Sequence, residues 1–122
     1  MEMISKMNSE YFYNSDADQF SFIKVPKLLV TGDDFSSVSI PAKILYGMLL
    51  DRMAIAMKNK WMDEKGRIYI LYQLSEIQED MNISRRKACD SLQELVNEGL
   101  VQKFQSGKGP TRIYVKNFAK RL

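Results

Sequence analysis

Arg85, Arg86 and Lys87 follow directly behind Ser84, at the head of a segment whose apolar residues recur at helical spacing. The positive end of a helix dipole favours acids, so three cations there are unfavourable for the helix itself. Their presence points to an anion outside the chain. Ser84 reads as the N-cap, its oxygen accepting from the free N–H groups of the first turn, and those groups also suit a nearby phosphate.

At about 100° per residue, Ala88, Leu92 and Leu95 fall on one side of this helix, flanked by Cys89 and Val96. Arg86, Asp90, Gln93, Glu94 and Asn97 fall opposite, with Lys87 at the margin and Arg85 near the edge of the buried face. A recognition helix enters the DNA major groove by its N-terminal part, which makes Arg86, Lys87 and Asp90 the candidates for base edges. Arginine pairs with guanine O6 and N7, while aspartate accepts from cytosine N4 or orients a neighbouring arginine. Ser84 and Arg85 are better placed for phosphate, and Gln93 lies on the same exposed face. Cys89, at the core margin, reads as packing.

A second basic group surrounds Gly107-Lys108-Gly109. This loop lacks the spacing of a P-loop and lies between two strand-like segments rather than before a helix. It reads as a hairpin tip, with Lys108 at its end and Lys103 and Arg112 on the flanking strands, reaching a DNA backbone or minor groove. Lys120 and Arg121 read either as additional attraction or as plain tail. Residues 84–122 hold 9 Lys/Arg against 3 Asp/Glu, whereas residues 1–83 hold 9 against 12. The basic end is the one expected to face a polyanion.

Other chemistry is limited by inventory. The chain has no histidine and one cysteine, which argues against zinc fingers, histidine acid–base catalysis and Cys/His nucleophilic pairs. No internal disulfide is possible, as expected of a reducing compartment. Nucleophilic chemistry at Tyr11, Tyr13, Tyr46, Tyr69, Tyr72 or Tyr114 usually needs a metal held by histidines or a carboxylate cluster, and the chain has no histidine, so these tyrosines read as core or hairpin pairs. Neither an enzyme nor a cofactor or metal is expected. Apolar stretches are too short to cross a bilayer, and Met1–Asn8 does not read as a secretory signal, so a cytoplasmic protein is expected.

The elements that must carry these residues can be read in order. Residues 1–19 are polar and aperiodic and are expected to be flexible. Pro26 starts a helical turn with Lys27, Leu28 and Leu29. Ser39 caps a helix running to about Lys58, with Pro41 in its first turn and Ile44, Leu45, Met48, Leu49, Met53 and Ala56 inward. Gly47 inside that helix marks a close packing contact. Asn59–Gly66 is a polar connection, and Arg67–Tyr72 reads as a strand. A helix over about Leu74–Met81, a turn at Asn82-Ile83 and the helix from Ser84 to Gly99 form a helix-turn-helix, with Ile77, Met81, Ile83, Ala88, Leu92 and Leu95 inward. Leu100–Phe104 and Arg112–Val115 follow as strands. The sum is an α+β, winged helix-turn-helix domain over residues 20–118, with a three-stranded antiparallel sheet, a Gly-rich wing and a tail at 119–122.

Four blocks of the chain carry a family resemblance: Phe22–Leu29, Ala42–Met53, Trp61–Ile70 and Gly107–Asn117, the most specific part being Leu45-Tyr46-Gly47-Met48-Leu49-Leu50-Asp51-Arg52. In this order they resemble the N-terminal domain of the replication initiator protein A family of plasmids and conjugative elements of Gram-positive bacteria. Ile40-Pro41 departs from the serine and acid usual there, affecting only the helix start. The resemblance implies a winged helix that binds repeated double-stranded DNA sites at a replication origin, commonly as a homodimer. It also implies a further C-terminal domain that engages host replication functions, so that a chain ending at Leu122 would be a truncated or lone first domain. Phe20–Leu29 is the expected dimer element. The other readings are a winged-helix transcriptional regulator and a winged helix used for protein–protein contacts.

Overall fold

The computed structural model describes residues 10–105 and 107–121. Helix α1, Lys27–Thr31, starts behind Pro26. Helix α2, Ile40–Lys58, is capped by Ser39, whose Oγ accepts from the Ala42 N–H at 3.3 Å, with Pro41 in the first turn. Helices α3, Leu74–Met81, and α4, Arg85–Asn97, are followed by strands β1, Val101–Phe104, and β2, Arg112–Val115. The strands pair antiparallel, with Lys103 opposite Ile113 and Phe104 opposite Arg112. Among the described residues, three short 3-10 turns, Asp16–Gln19, Asp33–Phe35 and Phe118–Arg121, complete the order. Among the described residues no helix is long and apolar enough to cross a membrane.

The core forms where α2 meets α4 and the sheet, from Leu45, Leu49, Ile70, Ile77, Leu95, Leu100 and Ile113, all buried. The inward stripe of α2 is Ala42, Leu45, Tyr46, Leu49 and Ala56, with Met53 partly covered. Ile44, expected inward, is exposed, because the stripe follows the helical spacing of Leu45 and Tyr46 instead. Tyr46 replaces it in the core. Its ring meets Phe118 edge-on and its hydroxyl donates to the Lys116 carbonyl at 2.7 Å.

Gly47 has the close contact its position suggested. A Cβ there would lie 2.8 Å from Val25 Cγ2 and 3.2 Å from the Lys24 carbonyl. The extended segment before α1 therefore lies directly on α2. Gly47→Ala would gain up to about 1 kcal/mol of helix propensity, but overpacking typically costs about 1–3 kcal/mol. Urea unfolding is expected to show a net loss of about 1 kcal/mol; a gain would mean that Lys24-Val25 shifts freely.

The expected third strand is not formed. Arg67–Tyr72 contributes one bridge, Ile70 to Ile113, with both N–H···O distances 2.9 Å, and among the described residues the regular sheet has two strands. The backbone before Ile70 is paired on its other edge, away from β2. Residues 61–69 fold back as a small hairpin, with Tyr69 N donating to Trp61 O at 3.1 Å and Met62 bridged to Ile68. Asp63 receives the N–H groups of Lys65 and Arg67, each at 2.9 Å, so the Asn59–Gly66 connection is partly one arm of this hairpin.

Of the segment expected to be flexible, residues 1–9 lie outside the described residues. The rest carries the Asp16–Gln19 turn, with Tyr13 N donating to Asp16 Oδ2 at 2.7 Å. Phe12, Phe20 and Phe22 form an exposed edge-to-face row.

Candidate nucleic-acid interface

The unit that presents the cations is built from local signals. At the start of α3 the Gln73 N–H donates to Glu76 Oε1 at 3.3 Å. Asn82 ends α3 in the left-handed region, φ 55° and ψ 50°, which asparagine tolerates better than most residues. Ser84 then turns extended, and its Oγ accepts from the Lys87 N–H at 3.0 Å, starting α4 where the sequence placed it. Gly99, with φ 73°, follows the helix end. Ile77, Ala88, Leu92 and Leu95 are buried, and Met81 and Ile83 partly so.

Ser84, Arg85, Arg86, Lys87, Asp90 and Gln93 are all exposed. Among the described residues none of the three cations pairs with a carboxylate. Gln93 Nε2 donates to Asn97 Oδ1 at 2.9 Å, which orders the distal part of this face.

Two positions on the helix differ from the wheel. Glu94, assigned to the open face, is half-buried and clasps the start of α2, accepting from Ser39 Oγ at 2.6 Å and Ser39 N at 2.9 Å. Cys89, assigned to the core margin, is exposed instead. It lines a groove of about 500 Å³ between α4, the start of α3 and the wing, with Tyr72, Gln73, Leu92, Lys103 and Thr111. A wheel supplies angles, but α4 packs against neighbours on two sides, and these decide which angles are covered.

The wing loop is stitched across its base: Thr111 Oγ1 donates to Gln105 Oε1 and Gln105 Nε2 to the Gly109 carbonyl, both at 3.3 Å. Lys108 is exposed near its tip, beside Gly107 with φ 58°. Lys103 and Arg112, grouped by the sequence, lie on opposite faces of the sheet. Side chains alternate along a strand, so Lys103 shares a face with its partner Ile113, and both line the groove beside α4. Arg112 shares the other face with Tyr114, and its guanidinium lies 4.3 Å above the Tyr69 ring.

The sequence reading missed the cluster that holds α3 to the scaffold. Arg52 of α2 donates to Glu76 Oε2 and Asp80 Oδ2, each at 3.1 Å, and lies 3.8 Å over the Tyr72 ring. The Tyr72 hydroxyl donates to the same Asp80 oxygen at 2.5 Å. Burial and then this bond push the Tyr72 phenol well above its ordinary range, so it remains a donor. The Tyr72 hydroxyl, against a burial cost, and then Arg52 hold the Asp80 carboxyl below the usual range. One signal was available. Glu76 and Asp80 are like charges at i,i+4, a repulsive spacing on a helix that a shared cation relieves.

Two tightly linked helices, the second exposing cations at its start, with a glycine hairpin alongside and α2 behind, define a winged helix-turn-helix domain of the DNA-binding kind. The chain belongs to the replication initiator protein A (RepA) N-terminus family, whose model matches residues 21–121. A "41 kDa protein" of Lactobacillus helveticus is 23% identical over 101 residues, covering 83% of this chain and 28% of the relative, so the chain spans little more than a quarter of that protein. Among solved structures, one described as "N-Terminal domain of DNA binding protein" superposes with a TM-score of 0.75 at 29% identity, covering 88% of this chain and 82% of the other. A "Structure of Rep-DNA complex" gives 0.73 at 29% identity over 88% and 83%. A "Structure of MDR initiator" gives 0.71 at 28% identity over 88% and 85%.

Proposed function

We propose that this chain is the origin-reading domain of a plasmid-type replication initiator, binding repeated duplex DNA sites in the cytoplasm by recognition, without catalysis or a cofactor. The observation that carries the reading is the uncompensated row Arg85-Arg86-Lys87 at the exposed start of α4. Family membership and the likeness to a Rep–DNA complex support it. Arg86, Lys87 and Asp90 face base edges, with Gln93 further along the same face. Ser84 and Arg85 hold phosphate, and Lys103 and Lys108 meet the backbone beside the wing. Arg112, on the far face of the sheet, leaves this set.

A homodimer would read two half-sites, and Phe20, Phe22 and Leu28, exposed by 53%, 64% and 42%, offer the apolar contact. Host replication proteins are reached through the remainder of a longer initiator.

The test is titration of the chain with its own element's origin duplex and a scrambled duplex over a salt series, for wild type and Arg86→Ala. Loss of one good base contact costs about 1–3 kcal/mol, so Arg86→Ala is expected to bind the origin roughly 5- to 150-fold more weakly and to lose its preference over the scrambled duplex. Equal binding of both duplexes by wild type would reduce α4 to a generic basic surface. Tight preference for a promoter operator instead would make the chain a transcriptional regulator.

A further inference from the structure

The face of the wing sheet turned away from α4 carries a second cationic surface. Arg112 and Tyr114 alternate along β2, and Lys116 follows in the same phase, its N–H still paired with the Leu100 carbonyl at 2.9 Å. Arg112 lies over Tyr69, the Tyr69 ring meets Tyr114 edge-on at 6.1 Å, and Arg67 lies 5.0 Å over Tyr114. The result is a row in which two phenol rings lie between two guanidinium groups. Beside it opens a cleft of about 430 Å³ lined by Met53, Arg67, Gln102, Lys116, Asn117 and Lys120, with Tyr114 in its wall.

Arg67 is oriented in advance. Its Nε donates to Asp63 Oδ2 at 2.8 Å, and the Tyr114 hydroxyl donates to the same oxygen at 3.0 Å. The Arg67 side chain is nevertheless 55% exposed, and its Nη groups make no hydrogen bond among the described residues. The carboxylate that fixes it is only 4% exposed and already accepts four hydrogen bonds, so a visitor meets the guanidinium rather than the carboxylate, and the net positive charge of this face comes from Arg112, Lys116 and Lys120. Glu64 and Lys65, at the hairpin tip, offset one another.

A planar guanidinium held from behind suits phosphate oxygens or a stacked base. Lys116 and Lys120 supply point charges for flanking phosphodiesters, Gln102 and Asn117 supply amide edges, and Met53 supplies an apolar wall. A duplex carries its phosphates on a convex rod that cannot enter such a cleft, whereas a single strand can lay backbone and bases into it. We infer that the outer face of the wing sheet, from Arg112 through Arg67 to Lys120, is a binding track for single-stranded DNA, separate from the surface that α4 presents. It would let one domain hold a duplex site and an adjacent opened strand at once.

The experiment is fluorescence anisotropy of a labelled oligothymidylate and, separately, of a labelled origin duplex, using the 122-residue chain over a salt series. Wild type is compared with Lys116→Gln/Lys120→Gln, two exposed side chains, and with Arg86→Ala. Each phosphate contact to a single strand contributes about 0.7 to the slope of log affinity against log salt, so the double variant should lose roughly 1.4. Its affinity for oligothymidylate should fall by about tenfold or more at moderate salt, while origin binding stays as in wild type. Arg86→Ala should do the reverse. Arg67→Lys, which keeps the charge but not the planar face, should also weaken the single-strand complex. Failure to bind oligothymidylate, or an unchanged affinity and slope in the double variant, overturns the inference. So does parallel loss of duplex binding, which would assign these lysines to duplex phosphates. Displacement of the strand by excess origin duplex would mean one shared surface, and equal displacement by polyglutamate would mean an acidic protein partner; either also overturns it.

Discussion

Arg52→Ala is expected to lower stability by about 2 kcal/mol, more than any exposed cation of α4 would when removed. Each ion pair alone is modest, since Arg52, Glu76 and Asp80 keep side-chain exposures of 30%, 40% and 36%, where pairs contribute roughly 0.2–1 kcal/mol. The stacking on Tyr72 adds about 1 kcal/mol, because that ring is buried at 4% exposure. Alanine also returns Glu76 and Asp80 to mutual repulsion on one helix face. Arg52→Lys keeps the charge but cannot reach both carboxylates and cover the ring in one geometry, so it should recover less than half the loss.

The consequence should extend to DNA. The cluster fixes α3, and α3 packs against α4, so loosening it should weaken origin binding without changing its salt slope, because no phosphate contact is lost. Urea unfolding and a salt titration of the same variants separate the two effects. A changed slope would place Arg52 itself against DNA. Unchanged stability would mean that the α2–α3 contact rests on apolar packing alone.

The sequence made legible those elements whose signals are local. Ser84, Asn82-Ile83 and Gly99 delimit α4 through capping and turn chemistry, and the structure places that helix at Arg85–Asn97. Gly47 signalled a close approach because a helix interior rarely gives up propensity without reason. What it did not reveal depends on partners distant in the chain. Glu94 is turned to structure by Ser39, which is 55 residues away. Arg67–Tyr72 has strand composition, but it meets β2 at the single pair Ile70–Ile113, while Arg67 and Tyr69 bond to the 61–63 arm on its other edge. Lys103 and Arg112 are separated by register, a property of the pair β1–β2 rather than of either strand. Consequently the exposed cations at 85–87 could be read from the chain, while the division of the basic C-terminal part between two faces could not.

Acid should remove a contribution that Asp63 makes to the native state, and Asp63→Asn is the variant that isolates it. Burial alone would raise this carboxyl, but the donors from Arg67, Tyr114 and Lys65 outweigh it and hold the group at about 2, against an ordinary 3.8. A folded-state value below the unfolded one means that the stabilisation is complete above about 4 and is lost as pH falls toward 2. Asparagine can still accept at one oxygen but cannot pair with the Arg67 guanidinium, and its amide nitrogen faces donors. The variant should therefore be clearly less stable than wild type at pH 6, with the difference constant down to about pH 5 and shrinking steadily below pH 4. Equilibrium unfolding followed by fluorescence of Trp61, whose backbone carbonyl pairs within the same hairpin, reads this directly. A difference that stays constant to pH 2.5 would mean an ordinary carboxylate. Because Asp63 also fixes Arg67, Asp63→Asn should weaken oligothymidylate binding at neutral pH while Arg86-dependent origin preference survives, linking the hairpin to the outer face alone.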